Sequence, residues 1–211
     1  VLFNLQNFLL YKNIFGNFVS NYYYCIYKKN NKMHREVGEF LKQVKKDTCS
    51  KYWMRSFFRN KKVLEVGSHN INGSPRKYFW FCDYTGVDIS IGSGVDIVGK
   101  FSDIEFNDKY DVVISTEMLE HDNDWENSLT KMYQLLKTGG LLIITCAAPD
   151  REEHGTKRTT PECSPDTTDY YRNISKEDFR GILPRGLFTK YLLQYKRGEN
   201  DLQFYGIKKT I

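Results

Sequence analysis

Apolar residues recur at Val37, Phe40, Leu41 and Val44, the three-and-four spacing of one helical face, and Tyr52, Trp53, Phe57 and Phe58 carry that face onward. The spacing predicts one or two helices over His34 to Phe58, packed beside the strand that follows. From Lys62 to Val66 the pattern becomes a short apolar run that meets Gly67, and Tyr84 to Ile89 repeats it. Tyr110 to Ser115 and Leu141 to Cys146 are further runs of this kind, apolar at successive positions. Such runs bury both faces, as strands of a parallel sheet covered on two sides do. Between them, Trp125 to Lys137 turns Leu129, Met132, Leu135 and Leu136 inward, and Gly139-Gly140 is expected to stop that helix.

Punctuation residues refine the order. Ser74 followed by Pro75 predicts a capped short helix over Pro75 to Phe81. Val95 to Val98 is a further apolar piece. Its link from Ile89 is too short for an ordinary parallel crossover, so either it pairs differently or the usual helix has shrunk to extended chain. Ala147 to Asn173 is long and polar and holds three of the five prolines, the composition of a functional or irregular loop. Ser175-Lys-Glu-Asp178 is a capping-box pattern that opens a helix. Leu187 to Tyr195 and Leu202 to Lys208, joined through Arg197 to Asp201, read as a terminal hairpin. The expected class is therefore α/β and Rossmann-like, a mostly parallel sheet with an antiparallel C-terminal hairpin and helices on both faces.

Charge changes the picture little. The net charge is +5, but four of the 31 basic residues (Lys12, Lys28, Lys29 and Lys32) lie in residues 1–32, which have no acidic residue. The rest carries 27 basic against 26 acidic residues, so no field draws nucleic acid to it. Residues 1–32 have Asn and Lys in every apolar run, short of the about 20 apolar residues of a membrane span, and they lack a secretory cleavage pattern. We expect this segment to be a non-domain extension, with the biological start at Met33 and a single domain over 33–211. The rival expectation is an amphipathic arm for a membrane surface or partner. The five cysteines are odd in number and scattered, without a C-x-x-C pair, which fits reduced thiols in the cytoplasm.

The chemistry sits at the strand ends. A glycine turn after Val66 lets backbone approach a ligand, and Asp88, ending the second strand, can accept hydrogen bonds from ribose hydroxyls. This is the plan of a nucleoside-binding half-domain. Four pieces in order, Val63-Leu-Glu-Val-Gly67, Gly86-Val-Asp88, Tyr110 to His121 and Leu135 to Ile144, resemble the class I S-adenosylmethionine-dependent methyltransferases, type 11-like, over roughly Lys61 to Cys146. The resemblance implies a seven-stranded sheet and S-adenosylmethionine as cofactor. It implies that Glu65 orients the cofactor loop, that Gly67 and Ser68 lie against the methionine moiety, and that Asp88 binds ribose. Ile89 would then pack on adenine, and Ser115 and Thr116 would line the methionine end. Two departures stand out. His69 and Ile71 replace glycines usual in that family's loop, with Asn72-Gly73 available to restore the turn, and Lys100 stands where an acidic residue often meets the adenine amine.

Glu117, Glu120 and His121 follow the fourth strand at the spacing of one helical face. Their pattern resembles two metal-dependent branches of the family, which implies Mg²⁺ held by these three residues, with His154 or Asp169 as a fourth ligand. Related methyltransferases carry the same Glu-His pair with no metal; then His121, with a pKa near ~6.5, and Glu120 are the candidates for proton transfer. His154, Arg158, Tyr170, Tyr171 and Arg172 are candidate acceptor-binding residues on the long loop, which also resembles uncharacterised methyltransferases linked to surface-sugar synthesis. The expected acceptor is an oxygen of a small molecule or sugar. The rivals are a non-catalytic binding protein on the same fold and a nicotinamide oxidoreductase, which expects a G-x-G-x-x-G absent after Val66.

Overall fold

Seven strands form one sheet in the order β3-β2-β1-β4-β5-β7-β6 in a computed structural model that describes residues 35–49, 57–159, 168–196 and 200–210. The expectations for residues 1–32, for a start at Met33, and for Tyr52 and Trp53 lie outside the described residues. The strands are β1 (Lys62–Val66), β2 (Asp83–Asp88), β3 (Ile97–Val98), β4 (Tyr110–Thr116), β5 (Leu136–Ala147), β6 (Phe188–Lys196) and β7 (Asp201–Lys208). The first five pair in parallel, and β7 runs antiparallel between β5 and β6. The expected hairpin is present; its connection over 197–199 lies outside the described residues.

Two cores explain the unbroken apolar runs. Side chains alternate across a strand, so Val63, Val112, Ile114, Leu141 and Ile143 face one layer, where Val37, Phe40, Leu41 and Val44 of α1 (Arg35–Thr48) close over them. Leu64, Val66, Val113, Leu142 and Ile144 face the other, against Leu129 and Met132 of α2 (Trp125–Leu135) and Phe179 of α3 (Lys176–Ile182). A strand buried on both faces holds apolar side chains at successive positions, with Glu65, Ser115 and Thr145 as buried polar exceptions, which is why these segments read as runs and not as alternations.

The local signals mostly act as expected. Ser74 accepts a hydrogen bond from the Arg76 N–H and opens a 3₁₀ turn over Pro75–Tyr78. Ser175 and Asp178 form both halves of the capping box at α3. The short link to β3 holds bends and a turn closed by the Val95 N–H on the Gly92 carbonyl, with no helix: Val87 pairs with Ile97 and Asp88 with Val98, in parallel. The expected helix over Trp125 to Lys137 is shorter. It closes at Leu135, where the Leu136 N–H bonds the Tyr133 carbonyl, and Leu136 already pairs with Tyr110 of β4. Burying Leu136 in the sheet outweighs another half-turn of helix, and Gly139, at φ +75°, lies in the strand irregularity that follows. Among the described residues no helix is long and apolar enough to cross a membrane. Cys82 and Cys146 are free thiols.

Ser175→Ala removes the oxygen that holds the Asp178 N–H and should lower the unfolding free energy by about 1 kcal/mol. The shift in urea midpoint at unchanged slope measures it.

Candidate functional site

The carboxyl ends of β1, β2 and β4 open into a cavity of about 360 Å³. Its nucleus is Gly67, which leaves β1 at φ +80°, while its N–H and that of Ser68 both bond the Val87 carbonyl at 2.9 and 3.0 Å. A Cβ on Gly67 would lie 2.6 Å from Cβ and Cγ of Met118, so both the backbone sign and the packing demand glycine. The turn lost at His69 and Ile71 returns at Gly73, at φ +102°, where the Asn70 side chain takes its N–H at 2.9 Å. The His69 N–H bonds Asp88 Oδ2 and the Ser90 N–H bonds Asp88 Oδ1, each at 2.9 Å. Asp88 thus ties the loop after β1 to the turn after β2.

Of the residues expected at a cofactor, Glu65, Gly67, Asp88, Ile89 and Thr116 line this cavity, as do Glu117 and His121. Ile89 is 46% exposed, an apolar side chain held open at the rim. Ser68 and Ser115 do not line it; both hydroxyls are buried in the wall without a hydrogen-bond partner. Glu65 is buried, accepts the Tyr84 O–H at 2.9 Å and the Ser74 O–H at 3.4 Å, and is pushed by burial up to about 8. Lys100 lines the cavity and reaches Asp124 at 3.5 Å. His69 also lines it, its ring where a Cβ on Gly92 would fall. The missing loop glycine was the sequence signal for this histidine.

The segment after β4 departs from the expectation of one helical face. Glu117 turns into the left-handed region at φ +54°, its N–H held by the Thr145 carbonyl at 2.8 Å, and Leu119–His121 is a 3₁₀ turn, with α2 starting only at Trp125. Glu117 and Glu120 therefore point to different partners. Glu117 stands 3.5 Å from Arg151, which also pairs with Asp201 at the start of β7. Nothing in the sequence marked Arg151, because its partners are remote along the chain. Glu120 is fully buried, accepts the Ala147 N–H at 3.1 Å, and is raised to about 8 by burial and by the charge of Glu117.

His121 does not keep an ordinary imidazole pKa. Burial, then His154 and Arg151, push it down to about 4, so it is neutral at pH 7. Its ring meets those of His154 and Tyr171 edge-on, with centroids 5.4 Å away in each case, and the Tyr171 hydroxyl lies 3.1 Å from His154 Nδ1. Among the described residues, the group able to hold a metal ion is Glu120, His121 and His154, not Glu117, Glu120 and His121; Asp169 is exposed and outside it. Two imidazoles and one carboxylate do not fit Mg²⁺, which takes oxygen ligands. Of the other loop candidates, Arg172 donates its N–H to the Glu120 carbonyl at 2.9 Å while its side chain lies over Trp125 and bonds Asp178. Arg158 is tied to Glu153, and Tyr170 touches none of the three rings.

The sequence profile of a methyltransferase domain family matches residues 33–186. Among solved structures, the N-methyltransferase NodS of Bradyrhizobium japonicum WM9, in complex with S-adenosylhomocysteine, is similar at 14% identity and TM-score 0.54 over 86% of this chain and 90% of that one. The 1,6-didemethyltoxoflavin-N1-methyltransferase of Burkholderia thailandensis is similar at 16% identity and TM-score 0.51 over 72% of each chain. The CurJ carbon methyltransferase is similar at 17% identity and TM-score 0.51 over 74% of this chain, which spans half of that one. At these identities the likeness is one of fold. No curated protein matches the chain in sequence.

Gly67→Ala should cost about 1–2 kcal/mol from the left-handed backbone alone, with a further loss as Met118 is displaced. Gly181→Ala, with nothing within 4 Å of the added carbon, is the harmless control in the same denaturation series. Glu65 binds its proton more tightly folded, at about 8, than its ordinary 4.5. The folded chain then holds more protons, so stability falls as pH rises from 4.5 to about 8. Glu65→Gln should remove the Glu65 share of that fall in thermal melts taken across this window, leaving the share of Glu120, which is raised likewise.

Proposed function

The chain belongs to this methyltransferase domain family, and we propose that it transfers a methyl group from S-adenosylmethionine to an oxygen of a small molecule or sugar. The observation that carries the reading is the cavity at the strand ends, where Gly67 and Asp88 stand together beneath the rim residue Ile89. In this reading Asp88 keeps its two backbone N–H partners and accepts ribose hydroxyls with its remaining lone pairs, as a carboxylate has about four acceptor sites. Ile89 covers the adenine. Glu65 steadies the loop from beneath, and the backbone at Gly67 and Ser68, with Thr116 and the wall behind Ser115, receives the methionine end. The similar structures include carbon and nitrogen methyltransferases, so oxygen as the acceptor atom rests on the resemblance in the long loop and not on them.

The displacement needs alignment and dryness more than acid strength. The acceptor must meet the methyl group in line with the carbon–sulfur bond, away from water. His121 belongs to that chemistry as a neutral imidazole on the cavity wall, presenting a lone pair rather than a charge. Glu120 holds the turn that carries it. His154, Tyr170, Tyr171 and Arg172, which do not line the cavity itself, would supply the acceptor side from a loop drawn back to the sheet by the Ile174 N–H bond to the Ala147 carbonyl. A non-catalytic binding protein on the same fold is the second reading, favoured by His69 and Ile71 in place of loop glycines and by Lys100 on the cavity wall. A cytoplasmic location is part of this reading, from five scattered cysteines with no C-x-x-C pair.

Calorimetry on the full chain separates the readings. S-adenosylmethionine and S-adenosylhomocysteine should bind and NAD should not. Asp88→Asn should weaken S-adenosylhomocysteine by about 10- to 100-fold, the loss of one or two charged hydrogen bonds. The asparagine amide can accept only one of the two backbone N–H groups, so a somewhat lower melting temperature is expected, and circular dichroism should show the variant folded. Unchanged affinity in that variant would remove Asp88 from the ribose site. Binding of both cofactor forms without methyl turnover across sugar and phenol acceptors would favour the non-catalytic reading.

A further inference from the structure

We propose that Lys131 is a positioning residue for the base side of the cavity, holding in place the wall made by Gly99, Lys100 and Phe101. Those three residues line the cavity directly after β3. They stand beside the ribose and base end of the proposed cofactor site. The Gly99 N–H bonds the Asp88 carbonyl at 2.8 Å, and Ile89, the residue given to the adenine, follows Asp88. Lys131 itself does not line the cavity. It reaches the wall from behind, out of α2, at a separation of 30 residues from Phe101 in the chain.

The ammonium of Lys131 serves backbone only. Nζ donates to three carbonyls of one short segment: Phe101 at 2.9 Å, Ser102 at 2.9 Å and Ile104 at 2.6 Å. An ammonium has three N–H donors, so all of them are engaged. The rings of Phe101 and Phe106 have their centroids 5.2 and 5.6 Å from Nζ, within reach of cation–π attraction. Burial draws the Lys131 pKa down, and the charges of Asp103 and Glu105 in the same segment act against that. Five groups of the segment after β3, three carbonyls and two rings, thus converge on one side chain of α2.

The segment has little else to hold it. Phe101–Asp103 is a single 3₁₀ turn, a weak element by itself, and Lys100 at its start gives no side-chain cap. The other tie to α2, Lys100 to Asp124 at 3.5 Å, joins two partly exposed side chains, and such pairs contribute little. Lys131 is therefore the stronger clamp. The same helix is braced at its start by Asp122, which lines the cavity next to His121 and accepts the Asp124 N–H and the Ser128 hydroxyl. One helix then sets both the base wall and the wall that carries His121. The inference rests on the methyltransferase reading, which is what makes the first of these a base wall.

The test compares the full chain with its Lys131→Met and Lys131→Arg variants by amide hydrogen exchange and by calorimetry. The calorimetric ligands are S-adenosylhomocysteine and 5′-methylthioadenosine, which keeps the base and ribose but lacks the amino-acid end. Exchange should rise in Lys131→Met over residues 99–106 and little in the strands. Both ligands should bind it about tenfold more weakly, and Lys131→Arg should recover most of the loss. Lys131→Gln, which keeps a donor without the charge, takes the place of Lys131→Met if circular dichroism shows that variant unfolded. Unchanged exchange over 99–106, or a loss of affinity confined to S-adenosylhomocysteine, overturns the role of Lys131. A parent chain that does not bind S-adenosylhomocysteine overturns the cofactor reading and this inference with it. A parent and a Lys131→Met variant that bind it equally well overturn the inference alone.

Discussion

A carboxyl group with no exposed surface, that of Glu120, holds together three parts of the molecule that sequence keeps apart. Its side chain receives the Ala147 N–H from the end of β5, its carbonyl receives the Arg172 N–H from the returning loop, and its own backbone is the turn after β4. Burial makes the neutral form the favoured one and raises its pKa to about 8. A protonated carboxyl in this position behaves as an uncharged connector. The position of His121 on the cavity wall and the return of His154 toward it both follow from that connection.

The opposite rim is held by a different device. Asp88 collects backbone N–H groups from the loop after β1 and the turn after β2, while Asp96 accepts the Gly86 N–H and pairs with Arg76. Carboxylates thus stitch loops whose backbone groups have no sheet partner, which satisfies donors that would otherwise be orphaned. The loop after β1 can therefore dispense with two of the glycines common in its family. Asn70 and Gly73 make the turn, and the Asp88 carboxylate fixes the path.

The sheet was legible in the sequence because burial on both faces leaves an unmistakable apolar run, and β1, β4 and the core of β5 lie where those runs lie. Residues at strand ends were legible for the same reason: once the strand is placed, Gly67 and Asp88 have nowhere else to be. The segment after β4 was not. Spacing alone gave Glu117, Glu120 and His121 a common face, but Glu117 adopts positive φ and breaks the helix before it begins. That choice is made by the Thr145 carbonyl and by Arg151, contacts that no local pattern encodes. The end of α2 was misplaced because a single buried leucine, Leu136, prefers the sheet to the helix.

Strand β7 enters the sheet antiparallel, between β5 and β6, and Asp201 at its first position is the anchor of Arg151. On a ribosome, β5 would emerge with one edge unsatisfied and β6 with no neighbour in the sheet, and both would wait for the segment made after them. Completion of the sheet beyond β5 thus waits until β7 has been made. The nascent chain carries an exposed, strongly apolar strand edge in the interval, the kind of surface that holdase chaperones bind.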